Sequence, residues 1–182
     1  ATTRTYVSNL IGQNKPEKTN DYLVKFSRLI RAYMESSIKS SKLLGRSFTE
    51  NENSIKEEID LLRTYVDLEK MKYPDGKITF DVELESDSLL DRCIPPMLLQ
   101  PFVENAIKHG ILPKEGTGKV IVRFEQDDDV LVCKIIDDGI GRKQSALNKE
   151  KEILAHKSRE LQLIMQRVKL LNELGYYIKI DF

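Results

Sequence analysis

Apolar residues at positions 22, 23, 26, 29, 30, 33 and 34 recur at three- and four-residue spacing, while Lys25, Arg28 and Arg31 fall on the other side. That period predicts an amphipathic helix over residues 20–45. Residues 14–20 read as a polar, proline-containing turn in which Thr19 or Asn20 caps the helix. Tyr6, Val7, Leu10 and Ile11 read as the tail of a preceding helix, giving an α-hairpin whose apolar stripe suits dimerisation. The serine-rich residues 36–53 read as a linker or a poorly ordered helix end.

A second helical period starts at Ser54. Ser54 and Glu57 have capping-box spacing, and Ile59, Leu62, Tyr65, Val66, Leu68 and Met71 follow on one face. Residues 73–76 (Tyr-Pro-Asp-Gly) end it with a turn. Residues 78–84 alternate apolar and polar, as a strand does. Pro95 and Pro96 precede a helix from about Met97 to His109, closed by Gly110. Residues 119–125 and 130–136 predict two strands joined by the acidic turn at 127–129. After the polar residues 142–157, a last helix carries Leu161, Ile164, Met165, Val168, Leu170 and Leu171, and a final strand starts at Tyr176. A helical hairpin followed by helix-strand-helix-strand-strand-helix-strand predicts an α+β fold with a mixed sheet. The division expected is residues 1–50 for hairpin and linker and residues 51–182 for the sheet-bearing domain.

Composition narrows the class. The 29 basic and 29 acidic residues balance, so the chain has neither a nucleic-acid footprint nor a polyanionic tail. No apolar stretch approaches the ~20 residues of a membrane span, and no membrane contact by this chain is expected. Cys93 and Cys133 are far apart, without CxxC context and within apolar runs, which predicts buried free thiols and suits a reducing cytosol. A start without Met and a stop within a strand pattern read as a piece of a longer chain.

Two segments carry candidate chemistry. On the 97–110 helix, Leu98, Leu99, Phe102, Val103, Ala106 and Ile107 are expected to point inward. Glu104 and Lys108 stand four apart on the polar side, as do Asn105 and His109, gathering an acid, an amide, a cation and an imidazole along one edge. Such a set suits hydrated Mg²⁺ beside phosphate, and is equally an amphipathic helix with an incidental ion pair. In the second segment, an apolar strand runs through Ile135 and Ile136 into Asp137, Asp138, Gly139, Ile140 and Gly141. The glycines permit close approach to a ligand, and an Asp at a strand end can accept from an adenine amino group; any acidic turn also looks like this.

In this order, the two segments resemble the N box and first glycine box of the GHKL ATPase superfamily. Residues 95–110 (Pro-Pro-Met-Leu-Leu-Gln-Pro-Phe-Val-Glu-Asn-Ala-Ile-Lys-His-Gly) are similar to the hallmark of LytS/YehU-type sensor histidine kinases. Residues 22–31, 57–66, 156–158 and 167–171 also fit that pattern. The resemblance implies a Bergerat-type α/β sandwich with a mixed sheet, ATP and Mg²⁺ as cofactors, and transfer of the γ-phosphoryl to a histidine and then to a response-regulator aspartate. It implies Asn105 as Mg²⁺ ligand, Glu104 as the polarising acid, Lys108 and His109 near phosphate, Asp137 at the adenine, and Gly139 and Gly141 shaping the pocket. Residues 142–160 would be a lid. A homodimer through the N-terminal helices and a place on the cytoplasmic side of the plasma membrane are implied as well.

The chain departs from that pattern in four ways. The acceptor histidine of the family's Pro-His-Phe segment is absent, since the two histidines present are His109 and His156. Glu160 stands where the second glycine box has glycine, which predicts weakened ATP binding or a displaced lid. Asp138 stands where Asn is usual, adding negative charge. The chain also ends inside the last strand of the pattern. A nucleotide-poor signal-relay module of the same fold is the alternative these departures favour.

Overall fold

The computed structural model describes residues 3–41, 52–141 and 151–181. The chain divides into two compact units, residues 1–140 and residues 141–182.

In the first unit, α1 (Thr3–Gly12) turns at Gln13–Lys15 into α2 (Pro16–Ser41). Asn14 takes a left-handed φ of 52° in that turn. The second helix therefore starts at Pro16 rather than near Asn20. A proline suits a first helical residue because its fixed φ is already helical and its missing N–H would have had no partner there. The same helix runs to Ser41, past the expected linker start, because residues 36–41 contain neither Gly nor Pro to stop it. The rest of that linker, including the expected division at 50/51, lies outside the described residues.

Aromatic packing joins the two helices. The Tyr6 and Tyr22 rings lie 5.0 Å apart, Tyr22 stacks on Phe26 at 6.3 Å, and the Tyr22 hydroxyl donates to Thr3 Oγ1 at 3.1 Å. Tyr22 and Leu29 belong to the same continuous core as Ile59, Leu62 and Val66 of α3 (Ile55–Lys70), along which α2 packs. At this seam Lys72 and Glu69 form a mostly buried ion pair at 2.6 Å. Burial opposes the lysine charge, but its bond to Glu69 prevails and holds its pKa above the ordinary value.

Ser54 caps α3 with a complete capping box: its hydroxyl accepts from Glu57 N–H and the Glu57 carboxylate accepts from Ser54 N–H. A short β1 (Asn53–Ser54) pairs antiparallel with β3 (Cys93–Ile94), a ladder too brief to leave a periodic signal in sequence. The main sheet has the order β2-β4-β5, from β2 (Ile78–Leu84), β4 (Gly118–Asp127) and β5 (Val130–Asp137). Strand β2 is parallel to β4, which is antiparallel to β5. The fold is α+β with a mixed sheet, as predicted. On β4, Val120, Val122 and Phe124 are fully buried, while Lys119 and Arg123 face outward and pair with Asp81 and Glu83 of β2. The β4–β5 turn places Asp128 at a left-handed φ of 51°, which aspartate tolerates better than most residues.

Neither cysteine forms a disulfide. Burial pushes the Cys133 thiol up to about 12, as suits an inert packing residue, whereas Cys93, expected inside, is exposed on the two-residue edge strand.

In the second unit, α5 (Lys151–Glu173) starts ten residues before the expected Leu161. Its buried positions Ile164, Val168 and Leu171 repeat at helical spacing. No strand forms over residues 176–181. Asn172 takes up the backbone there instead, its amide donating to Ile178 O at 2.9 Å and accepting from Ile178 N at 2.8 Å, as a neighbouring strand would.

Candidate functional site

The helix expected at 97–109 begins at Gln100. Met97 sits at a left-handed φ of 56°, and its N–H donates at 2.6 Å to the carboxylate of Glu58, a residue 1% exposed on α3. Glu58 also accepts from Asn53 at 2.9 Å. A buried carboxylate thus clamps the Pro-Pro-Met entry in a conformation that a β-carbon disfavours, delaying the helix by one turn. From there α4 (Gln100–Asn105) continues into a π-helical turn, Ala106–Ile111. The Leu112 N–H reaches back five residues to Ile107 O at 2.9 Å. Such widened turns change the angle at which side chains leave the axis, and they recur at functional sites.

Val103, Ala106 and Ile107 are buried, with Leu99 before the helix, as expected, while Leu98 and Phe102 are half-buried. On the opposite edge Lys108 donates to the Glu104 carboxylate. Asn105 is half-buried, His109 is half-buried and Lys108 is exposed.

Gly110 does not close the helix as a terminal cap; it lies within the π turn, buried against the β5 exit. A β-carbon on Gly110 would stand 2.5 Å from Asp137 Oδ1, and one on Gly139 would stand 2.4 Å from the Gly110 backbone. Ile140 N–H donates to Gly110 O at 3.1 Å, and Gly139 N–H donates to Asp137 Oδ1 at 3.0 Å. Two glycines 29 residues apart in sequence therefore interlock, and the Asp137 carboxylate lies against the end of the helix carrying Glu104, Asn105, Lys108 and His109. Gly141 has a left-handed φ of 73° and begins the second unit.

Asp138 turns away from this junction. Its Oδ1 accepts from Lys119 N–H at 2.7 Å, its own N–H donates to Lys119 O at 3.2 Å, and its Oδ2 pairs with Lys114 at 3.0 Å. The Lys119 amide and then Lys114 hold its carboxyl below the ordinary range. The charge added by Asp in place of Asn is thus met by a lysine beside it.

The sequence pattern of the histidine kinase family matches residues 4–77. The sensor protein LytS of Bacillus subtilis (strain 168) is 32% identical over 126 residues, covering 69% of this chain and 19% of that protein. The sensor histidine kinase YpdA of Escherichia coli (strain K12) is 30% identical over 126 residues, 69% of this chain and 22% of that protein. The chain belongs with the LytS-type histidine kinases. A further relative, the sensor histidine kinase/phosphatase LytS of Staphylococcus aureus (strain N315), is 28% identical over 132 residues, 72% of this chain and 20% of that protein. The chain spans about a fifth of the length of these curated LytS-type relatives.

In this chain, the family pattern at 4–77 covers α1, α2 and α3, while the Glu104 edge and the Asp137 loop lie beyond it. Residues 142–150 of the expected lid lie outside the described residues, and residues 151–160 are helical. Among the described residues no helix is long and apolar enough to cross a membrane. Sequence reading missed Glu58, Gln100, Tyr33 and Tyr65. Tyr33 and Tyr65 entered there only as members of helical stripes, and Glu58 and Gln100 only as letters of longer motifs.

Proposed function

We propose that this chain is the ATP-binding catalytic region of a two-component sensor histidine kinase with a GHKL-type fold. It would act in transfer of the γ-phosphoryl of ATP to a histidine outside this chain, for relay to a response-regulator aspartate. The observation that carries the reading is the Gly110–Gly139 interlock, which joins the Asp137 loop to the helix of Glu104, Asn105, Lys108 and His109. The two glycines let the Asp137 loop close directly onto the end of that helix, which brings an acceptor suited to a base amino group beside the polar edge. The donor set fits the group, since half-buried Glu104 and Asn105 offer oxygen ligands of the kind Mg²⁺ takes; the ion would rest on the Asn105 amide oxygen, phosphate oxygens and waters. Bound Mg·ATP supplies the reactive phosphoryl group. The chain's own part is to orient it through Asn105, Lys108 and His109, to polarise through Glu104, and to read the base through Asp137, with Gly139 and Gly141 shaping the loop. Exposed Leu23, Ile30 and Met34 on α2 support a homodimer through the N-terminal helices, and the family supports a place on the cytoplasmic side of the plasma membrane. Calorimetric titration with Mg·ATP tests the reading, with Asn105→Ala expected to abolish the binding of the unmodified chain.

A second reading, a nucleotide-poor relay module of the same fold, draws on Glu160. Residues 158–161 lie inside α5, where backbone N–H groups bond within the helix rather than to phosphate. Restored binding in Glu160→Gly alone would favour it.

A further inference from the structure

Strand β5 leaves its ladder with β4 at a single residue, and a side chain marks the point. Val120 pairs with Asp137, so the next position sets Lys119 opposite Asp138. In an antiparallel ladder, the two residues of a hydrogen-bonded pair exchange both N–H···O=C bonds. Half of that exchange is present here, since Asp138 N–H donates to Lys119 O at 3.2 Å. In the other half Lys119 N–H donates to Asp138 Oδ1 at 2.7 Å, so the side chain takes the place of its own carbonyl oxygen. The carbonyl is thereby released from the ladder. The chain turns at once into the loop of Gly139 and Ile140, whose N–H groups donate to Asp137 Oδ1 at 3.0 Å and to Gly110 O at 3.1 Å. Asp138 Oδ2 pairs at 3.0 Å with Lys114, which follows the π-helical turn.

Asp138 is therefore fastened to the start of β4 and to Lys114, with Asp137 and Gly139 as its chain neighbours. Asp137 is exposed at the strand end, and the Gly139 N–H holds its Oδ1. Among the described residues nothing bonds its Oδ2. We propose that Asp138 is a positioning residue for Asp137: by standing in for its own carbonyl it ends the ladder at a fixed place, sets the Gly139 N–H that holds Oδ1, and leaves Oδ2 as the acceptor for a base amino group. An acceptor oriented beforehand discriminates better, because no side-chain freedom is lost when the ligand arrives. This inference rests on the nucleotide-site reading of Asp137.

Two readouts test it on the unmodified chain, Asp138→Asn, which keeps the acceptor oxygen, and Asp138→Ala, which removes it. The first needs no nucleotide. The Gly139 amide proton resonance should move in Asp138→Ala toward its position in Asp137→Ala, and stay in place in Asp138→Asn. The second is the ratio of affinities for Mg·ATP and for purine riboside triphosphate, which carries hydrogen in place of the adenine amino group. The unmodified chain and Asp138→Asn should prefer Mg·ATP about tenfold, as for one hydrogen bond to a carboxylate, and Asp138→Ala less than about threefold. A merely structural aspartate would weaken both nucleotides alike and leave the ratio unchanged. A Gly139 resonance indifferent to Asp138→Ala, or an unchanged ratio, overturns the proposal. Should Asp138→Ala fail to fold, Asp138→Glu, whose carboxylate stands one methylene farther from the backbone, replaces it in both readouts. If the resonance moves as expected but the unmodified chain binds neither nucleotide, the nucleotide reading fails and the hold of Asp138 on Asp137 stands.

Discussion

At the residue scale, the meeting of Glu104 and Lys108 on one edge was legible because four-residue spacing on a helix puts side chains on one side. What spacing could not show is that Gly110 and Gly139 interlock, since that contact spans the β4–β5 hairpin. Gly139→Ala places a methyl group 2.4 Å from the Gly110 backbone, where no flexible side chain can yield. It is expected to cost about 2 kcal/mol or more by urea denaturation, whereas Gly12→Ala, with open space around it, should be neutral or slightly stabilising. Asp138 gives a pH-dependent case. Its folded pKa is depressed, so its contribution is fully present above the ordinary carboxyl value of 3.8 and is lost as pH falls through the folded value. Because the side chain is about half exposed, Asp138→Asn should cost no more than about 1 kcal/mol near neutrality. The gap between the two proteins should close on acidification below the ordinary value, as read from stability measured across pH.

At the element scale, the three long helices, the strands of the mixed sheet and the α3 capping box were readable from period and end signals. Their starts were less so. The α4 start depends on the buried Glu58 clamp from another helix, which no local window contains. The α2 start was misplaced because Pro16 looked like a turn residue when it is a helix-initiating one. The final strand failed because its pattern was local, whereas a strand needs a partner; here Asn172 stands in for one. Two element-level contacts can be measured by denaturation. Ser54→Ala removes the hydroxyl acceptor of the capping box and should cost about 1 kcal/mol. Tyr33→Phe leaves the buried Gln100 amide without its acceptor and should cost about 1–3 kcal/mol. Burial raises the Tyr33 phenol to about 12, only partly offset by its bond to Gln100, so this tie between α2 and α4 should persist throughout the neutral range.

At the scale of the whole molecule, the hairpin is not a separate appendage to the first unit: Tyr22 and Leu29 share one core with α3 and the sheet. A movement of α2 along α3 would pull on Gln100 through Tyr33, at the start of the helix that carries Glu104 and Asn105. The exposed apolar residues of α2 offer an independent check on the proposed homodimer: if it forms through them, Ile30→Lys/Met34→Lys should give a monomer in sedimentation equilibrium where the unmodified chain gives a dimer. Family membership was legible from residues 95–110 because a long motif is specific where single residues are not. The effect of Glu160 was not, because it depends on whether residues 158–161 form loop or helix. The most direct test of the central claim, that the Gly110–Gly139 junction is a nucleotide site, is calorimetric titration with Mg·ATP of the unmodified chain, Asn105→Ala and Glu160→Gly. Saturable binding by the unmodified chain and none by Asn105→Ala is the expected result. Undiminished binding by Asn105→Ala, or no binding by the unmodified chain and Glu160→Gly alike, would contradict it.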